Sequence, residues 1–524
     1  MKKNIYLKAS ALCLAVAMLL GGCGQGKAAS SGSSAPAAST VNKDGKALEP
    51  VTLEWYSFLN PIRPDTDMVW TELNKYFKEK LNVTVNYHFF TEADYKAKMA
   101  TMVSSGQDMD IMFSGIALPF AENAQKGVFY PLEDILDSCA PETKELLPQG
   151  LWDAATVNGH IYAVPTYKDN ATIYSFIYNK TMADDLGIDA TKPWKSYQDQ
   201  IPLLYEVKQK RDAKYPEDAK YPILNRTPQF SDLYPFEELS GLVTANIPGL
   251  NYFKDQGSGE KAFNRFETQE YRDFCHQVKK LVDDGISPYD WENYDKDQVI
   301  LNSGKLFGVL RLGFVNVNEH MYSDSFSVAL NNSDVKLMNT SGIRGALQCV
   351  SANSKNPERA LMLLNLVNTD PYVATTLRFG LEGQHYLRNT EGRITFEGSP
   401  RNADMQNPGY YYWYGWQFGS LFNMELPTTQ PANLWDLIKE ANETSIQDTN
   451  LGFTFDSTAV TNEIAACSSV IAEYEKNLAY GLLENVDAAI DEFTAKLKAS
   501  GSEKVVNELQ SQLTAWRKSV GKPV

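Results

Sequence analysis

An aromatic run is the part of the chain best suited to hold a small polar molecule. It reads Gly-Tyr-Tyr-Tyr-Trp-Tyr-Gly-Trp-Gln-Phe over residues 409–418. Flat rings can stack on the apolar C–H face of a sugar ring, while amides and hydroxyls bond to its rim. Large aromatic residues are also usually buried. We therefore expect some of these rings to pack in a core and Trp413, Tyr414 and Trp416 to face a ligand.

Further candidates are polar residues placed beside apolar strand patterns. Tyr167, Asp169 and Asn170 directly follow an Ala-Val-Pro stretch. We interpret them as ligand-binding residues, with a solvated linker as the alternative. Arg311 interrupts the apolar stretch Gly-Val-Leu-Arg-Leu-Gly-Phe, and it can reach a ligand or form a structural ion pair.

The elements that must position such residues begin with alternating strand and helix patterns. Apolar residues alternate over 51–56 and 83–89, and a short apolar strand covers 110–113. An amphipathic helix lies before the second strand, and another helix begins near Asp94 after it. This order predicts βαβ units in a mostly parallel sheet, whose ligands bind beyond the carboxyl ends of the strands.

That rule selects the loops 57–63 and 114–118. Tyr56, Ser57, Asn60 and Ser114 are the candidates there, and capped turns are the alternative. Downstream, Asn158-Gly159 predicts a hairpin, Asn356-Pro357 predicts a helix start with Asn as the cap, and the C-terminal third reads as helical.

Composition limits the partners. The chain has 524 residues, 43% hydrophobic, and a formal net charge of −16. The length allows two to four domains or two large lobes. A strongly acidic surface repels nucleic-acid phosphates and anionic lipid headgroups, so we expect neither as a partner.

No pattern indicates catalysis. The five histidines are scattered, and the nucleophile-elbow, phosphate-loop, dinucleotide and zinc-helix motifs are missing from the sequence. A secreted glycoside hydrolase needs two carboxylates about 5–10 Å apart, and 65 acidic residues leave that alternative open. Asp108 and Asp110 are close in sequence but flank a strand, as turn and cap residues do. A surface adhesin or a structural lipoprotein is a third alternative, although such proteins tend to contain repeats and no repeat is present in the sequence.

The N-terminus has the pattern of a secretory signal. Three lysines precede an uncharged stretch, Ala9 to Leu20, that is too short to span a bilayer. Leu20-Gly21-Gly22-Cys23 resembles the lipobox of bacterial lipoproteins, in which the cysteine is lipidated. Residues 24–47 are rich in Gly, Ser and Ala, so we expect a flexible tether.

The order of several segments resembles one protein family. FAENAQKGVFYPLEDIL, VNGHIYAVP, IYNK and GALQCVSANSKNPERALMLLNLV are similar to extracellular solute-binding lipoproteins of carbohydrate ABC transporters. RFGLEGQHYLRN and LGFTFDSTAVTNEIAACSSVIAEY resemble the C-terminal region of their LplA-like members. The resemblance covers the chain from about Val51 onward.

This resemblance implies an α/β fold of the two-lobed, periplasmic-binding-protein-like type II class, with a hinge and a helical C-terminal region. It implies a ligand held between the lobes, where family members place a ring-stacking residue. The expected divisions are 1–22 signal peptide, 23–48 anchored tether, 49–165 lobe 1, 166–344 lobe 2, 345–389 return to lobe 1, and 390–524 helical region mostly in lobe 2.

The implied role is a non-enzymatic receptor of an ABC importer, lipid-anchored at Cys23 on the outer face of a Gram-positive membrane. We expect an oligosaccharide ligand, permease subunits as partners, no cofactor, no metal and a monomer. A glycoside hydrolase or a receptor for a peptide or other polar solute are the alternatives. Cys139, Cys275, Cys349 and Cys467 either form disulfides or remain buried thiols.

Overall fold

The computed structural model describes residues 47–234, 249–250, 259–290, 298–412 and 416–524. Within these residues the chain forms two main sheets with separate hydrophobic cores. We call the body around the five-stranded sheet lobe 1 and the body around the four-stranded sheet lobe 2. The predicted two-lobed α/β fold is confirmed.

The strands, numbered in chain order, are β1 (Val51–Phe58), β2 (Val83–Phe90), β3 (Ile111–Gly115), β4 (Thr156–Val157), β5 (His160–Ile161), β6 (Val164–Pro165), β7 (Thr172–Asn179), β8 (Gly249–Leu250), β9 (Ala262–Phe263), β10 (Gly308–Leu312), β11 (Val328–Met338), β12 (Ala346–Val350), β13 (Leu387–Arg388), β14 (Ile394–Thr395) and β15 (Ile446–Gln447).

The α-helices are α1 (Thr66–Leu81), α2 (Glu92–Ser104), α3 (Phe120–Gln125), α4 (Glu133–Cys139), α5 (Pro141–Leu146), α6 (Gln149–Ala154), α7 (Lys180–Leu186), α8 (Ile201–Lys214), α9 (Phe230–Leu233), α10 (Gln269–Asp283), α11 (Gln298–Asn302), α12 (Thr340–Arg344), α13 (Pro357–Thr369), α14 (Pro371–Phe379), α15 (Leu434–Glu443), α16 (Thr461–Ala479), α17 (Val486–Ala499) and α18 (Ser502–Ser519).

The lobe 1 sheet has the order β2-β1-β3-β12-β6. Strand β1 pairs in parallel with β2 and β3, so the predicted βαβ beginning is confirmed. Strand β12 runs antiparallel to β3 and β6 because it returns from lobe 2 in the opposite direction. Trp55 at the centre of this sheet packs edge-on against Trp70 and Phe418, with ring centroids 5.6 and 5.9 Å away.

The lobe 2 sheet has the order β10-β7-β11-β15. Strand β7 is antiparallel to both β10 and β11, so the expectation of mostly parallel pairing does not extend to this lobe. The predicted C-terminal helices are confirmed. Helices α16, α17 and α18 pack their apolar faces, including Cys467, Leu497 and Leu509, into the same core as α10.

Local signals mostly act as the sequence predicts. Asn158 and Gly159 form the two-residue hairpin turn with φ of 53° and 87°, which glycine and asparagine tolerate best. Helix α13 begins at Pro357 as predicted, but the expected side-chain cap is wrong. Asn356 occupies the N-cap position without a side-chain hydrogen bond.

Among the described residues, three of the connections between the lobes are short crossings. Crossing 1 (166–171) leads from β6 to β7, crossing 2 (339–345) leads from β11 to β12, and crossing 3 (444–445) leads from α15 to β15. The backbone N–H of Thr166 donates to the carbonyl of Ala346, so crossing 1 is bonded to the end of crossing 2.

No helix in the described part of the chain combines the length and apolar character that crossing a bilayer requires. Of the two alternatives for the cysteines, the structure shows buried thiols at Cys139, Cys275, Cys349 and Cys467.

Candidate functional site

Trp416 forms an aromatic platform at the carboxyl ends of β1 and β3. Its ring centroid lies 5.8 Å from that of Phe58, the last residue of β1, and 5.6 Å from that of Phe113. Both contacts are edge-on, with interplanar angles of 67° and 74°. Trp416 remains partly exposed, so it can offer surface to a ligand while neighbouring rings fix its position.

Two buried polar side chains hold the backbone that follows Trp416. Gln348 on β12 donates from Nε2 to the carbonyl of Gln417 and accepts a 3.2 Å bond at Oε1 from Trp55 Nε1. Arg378 on α14 donates to the carbonyl of Phe418 from Nη2 and to that of Ala374 from Nη1.

Arg378 is fully buried and has no carboxylate partner among the described residues. Desolvation lowers the pKa of its guanidinium to about 9. Gln348 and Arg378 were missed by sequence reasoning. The available signal was a polar residue at the centre of the apolar strand Ala-Leu-Gln-Cys-Val and a charged residue in the last turn of α14.

Two tyrosines of the aromatic run pack in a core, which is the part of the expectation that the described residues can test. Tyr410 is fully buried, and its hydroxyl donates to the carbonyl of Leu377 at 3.0 Å. The hydroxyl of Tyr412 donates to the carbonyl of Pro61 and accepts from the N–H of Arg63, both at 3.0 Å. These tyrosines therefore pack in lobe 1. The candidates Trp413 and Tyr414 lie outside the described residues.

The β1 candidates have side chains that are already engaged or enclosed. Tyr56 is buried and stacks on His88 with ring centroids 4.3 Å apart, and burial raises the pKa of its phenol. Ser57 is fully buried, and its hydroxyl has no hydrogen-bond partner among the described residues. Asn60 is exposed, and its amide forms long hydrogen bonds to Glu92 at the start of α2.

Ser114 shapes the loop after β3. Its hydroxyl donates to the carbonyl of Leu118 at 2.8 Å, which closes the loop 114–118 and leaves Ile116 52% exposed at its tip. This loop borders a cavity of about 740 Å³. The cavity is lined by Gly115 and Phe120 of lobe 1, by Arg344 of crossing 2, and by residues 455–458 near the start of the C-terminal helices.

The crossing 1 candidates are built into the connection between the lobes. Tyr167 is buried and packs edge-on against Phe422, with ring centroids 4.5 Å apart. Asn170 is buried, and its side chain bonds the backbone of Thr166 and Lys168. Asp169 is partly exposed and pairs with Lys168 at 3.1 Å.

The structure brings Asp169 near the end of β10, where Arg311 lies. A Cβ added to Gly313 would stand 3.9 Å from Asp169 Oδ2. Arg311 is partly exposed, and its Nη1 donates to the carbonyl of Leu310 at 3.3 Å. Asp169 on crossing 1 therefore lies close to Gly313, two residues after Arg311 on lobe 2.

Asn442 is a further junction residue that sequence reasoning missed. It is buried at the end of α15. Its Oδ1 accepts from the N–H of Ala171 at 2.9 Å, and its Nδ2 donates to the carbonyl of Lys168 at 2.7 Å. One side chain thus bonds the middle and the end of crossing 1 to the chain just before crossing 3. A single Asn in a helical pattern gave no signal of this role.

The two acidic residues that raised the question of catalysis have structural partners. Asp110 accepts from the N–H of Glu54 at 2.9 Å and from the hydroxyl of Ser354. Asp108 pairs with Lys355 at 3.0 Å on the surface. Both carboxylates therefore have structural partners, but neither caps a helix, so the interpretation as a cap residue is wrong.

Comparison with known proteins now decides the family. The family model described as bacterial extracellular solute-binding protein matches residues 72–381, more than half of the chain. The chain belongs to this family. A second model, a domain of unknown function (DUF3502), matches residues 449–518. Membership identifies an extracellular binding protein rather than an enzyme, and it disfavours the glycoside hydrolase alternative.

Full-length relatives agree with this assignment. A carbohydrate ABC transporter substrate-binding protein of Streptococcus pneumoniae is 27% identical over 98% of both chains. The crystal structure of the N-glycan transport solute binding protein NgtS from Streptococcus pneumoniae matches with a TM-score of 0.73 and 23% identity, covering 90% of this chain and 99% of that one. Its complex with Man1GlcNAc matches with a TM-score of 0.66 and 23% identity, covering 90% and 100%. These two structures support the two-lobed fold.

Proposed function

We propose that this solute-binding protein serves a carbohydrate ABC importer, captures an oligosaccharide between its lobes and delivers it to the permease. The similarity to a carbohydrate ABC transporter substrate-binding protein over 98% of both chains is the observation that carries the proposal. The Man1GlcNAc complex of NgtS supports a glycan ligand.

The geometry refines the proposed contacts. Trp416, Asn60, Asp169 and Arg311 are at least partly exposed and can touch a ligand, and Trp413 and Tyr414 stay proposed as stacking residues. Buried side chains cannot reach a ligand without rearrangement. We therefore propose that Tyr56, Ser57, Ser114, Tyr167 and Asn170 support the contact surface from behind.

The lobe boundaries can also be proposed more closely. Tyr410, Tyr412 and Phe418 share the lobe 1 core with Trp55 and Trp70. We therefore propose that the return to lobe 1 runs to about residue 443 rather than 389, and that residues 461–519 belong to lobe 2. The junctions near 165 and 345 stay where the sequence placed them.

The proposed anchor is a lipid on Cys23, after removal of residues 1–22, with residues 24–47 as a tether and the folded part acting as a monomer. Replacing Cys23 with Ser should release the protein from a Gram-positive membrane into the medium, because the chain would lose its lipid. Cell fractionation with immunoblotting measures this. Retention of the variant on the membrane would contradict the anchor.

Calorimetric titration of the full chain with Man1GlcNAc, longer oligosaccharides and a tripeptide tests the ligand class. We expect saturable glycan binding with the sugar recovered intact, because a receptor alters nothing covalent. Trp416→Ala should weaken binding about tenfold through lost stacking. Trp516→Ala, which removes a partly exposed Trp from α18, is the matched control and should bind like the wild type. Binding of the peptide alone would favour the peptide-receptor alternative.

A further inference from the structure

The guanidinium of Arg344 lies where the two lobes meet. It belongs to crossing 2, at the end of α12. Its Nε donates to the carbonyl of Ala154 at 2.7 Å, and its Nη2 donates to the carbonyl of Thr156 at 3.3 Å. Ala154 is part of the lobe 1 core, together with Trp152.

The same guanidinium bonds to the chain that enters the C-terminal helices. Nη2 of Arg344 lies 2.9 Å from the hydroxyl oxygen of Thr454 and 3.4 Å from the carbonyl of Gly452. Phe453 and Phe455, on either side of Thr454, are part of the lobe 2 core. Gly452 follows Leu451, which packs in the lobe 1 core, so the bond to Thr454 is the one that reaches chain packed in lobe 2. One side chain on a crossing therefore donates to backbone in lobe 1 and to the hydroxyl of a residue held between two lobe 2 core rings.

The environment of Arg344 makes these bonds costly to lose. No carboxylate pairs with it among the described residues, and desolvation lowers its pKa to about 9. The Phe120 ring of lobe 1 covers the guanidinium, with its centroid 5.4 Å from Cζ. The Arg344 residue is partly exposed where it lines the cavity, and its guanidinium satisfies its N–H donors with the carbonyl and hydroxyl acceptors around it.

We propose that Arg344 is a positioning residue that sets the resting angle between the lobes and thereby tunes ligand capture. The inference rests on the proposed function only for its effect on capture, whereas the angle belongs to the unliganded protein. Its bonds to Ala154 and Thr454 are satisfied together at one arrangement of the lobes. A rotation about the crossings would stretch one set, so the guanidinium favours that arrangement over more open ones.

Arg378 provides a matched control. It is also an enclosed guanidinium without a carboxylate partner in the described part of the chain, and burial likewise lowers its pKa to about 9. Its acceptors, the carbonyls of Ala374 and Phe418, both lie in lobe 1. Replacing it removes the same chemistry without cutting a link between lobes.

Small-angle X-ray scattering of the unliganded full chain tests the inference. We expect Arg344→Met to raise the radius of gyration above the wild-type value and Arg378→Met to leave it unchanged. Arg344→Lys should give a smaller increase in the radius of gyration, because one ammonium group cannot bond to Ala154 and Thr454 at once. If Arg344→Met does not fold, the scattering of Arg344→Lys tests the inference.

Unchanged scattering of the folded Arg344 variants would overturn the inference, and so would an equal increase in Arg378→Met. Because no ligand is present, these outcomes are independent of the carbohydrate proposal. Titration of Arg344→Lys with Man1GlcNAc then reports the effect on capture, which we expect as a several-fold weaker affinity. A failure of the wild type to bind any glycan would instead contradict the proposed function.

Discussion

Arg378 beside the platform and Arg344 at the junction are enclosed guanidiniums that donate to backbone carbonyls. Around Arg378, all the acceptors lie in one lobe, and the bonds fix the chain that follows Trp416. Around Arg344, the acceptors lie on both sides of a crossing. The same chemistry therefore fixes a shape in the first region and an orientation in the second. Substituting Arg378 should therefore mainly lower the stability of lobe 1, whereas substituting Arg344 should mainly change the angle between the lobes.

The largest effect on stability should come from Arg378→Met. It leaves the Phe418 carbonyl without its donor in a dry core, so we expect a loss of about 3 kcal/mol in the free energy of unfolding. Urea denaturation measures it. Arg388→Met is the control, since that arginine is partly exposed and pairs with Glu425 and Glu382, and it should cost under about 1 kcal/mol. Equal losses in the two variants would show that burial of Arg378 does not increase its contribution to the free energy of unfolding.

Gly452→Ala should destabilise the protein through a steric clash where the lobes meet. Gly452 has φ of 92°, and an added Cβ would stand 2.7 Å from the carbonyl oxygen of Asp153. We expect a loss of about 2 kcal/mol, because conformational strain and the clash add. Gly159→Ala is the matched control, with φ of 87° and no atom within 4 Å of the added Cβ. It should cost about 1 kcal/mol. Thermal unfolding of both variants measures the contribution of the close approach to Asp153.

Asp448 should make the junction sensitive to pH. It is buried two residues before Asn450, and desolvation raises its pKa from the ordinary 3.8 to about 7 despite nearby Lys522 and Arg517. Between these values the folded state binds a proton that the unfolded state lacks. The free energy of unfolding should therefore fall as pH rises from about 4 to 7.

Asp448→Asn should remove this dependence while keeping the oxygen that accepts from the N–H of Asn450. We expect the variant to be about 2 kcal/mol more stable than the wild type at pH 8 and nearly equal to it at pH 4. Thermal melts at both values provide the measurement. A variant that is less stable at pH 8 would show that the ionised carboxylate is well paired with Lys522 and Arg517.

The smallest effect should come from Ser57→Ala in lobe 1. Its hydroxyl is buried without a partner in the described part of the chain, so removing it should raise stability by up to about 1 kcal/mol and leave glycan affinity unchanged. Calorimetry of unfolding and of binding measures both. A fall in affinity would return Ser57 to the proposed ligand contacts.

Local patterns predicted local structure well. Alternation over 51–56 and the Asn158-Gly159 pair found β1 and the hairpin, because period and turn chemistry act over a few residues. The contacts that hold the platform and crossing 1 in place join residues that are distant in sequence. Gln348 bonds Trp55 across 293 residues, and Asn442 bonds Ala171 across 271 residues. Composition and periodicity carry no information on such pairings. The resemblance to a family supplied the lobes but not these residues.

The hydroxyl of Tyr412 joins the aromatic run to the loop after β1 by bonding both Pro61 and Arg63. These hydrogen bonds hold together two stretches that are separated by some 350 residues of chain. Anyone redesigning specificity by swapping segments between relatives would have to exchange both stretches together. Transferring either stretch alone would leave the Tyr412 hydroxyl without these hydrogen bonds and the loop after β1 without its support.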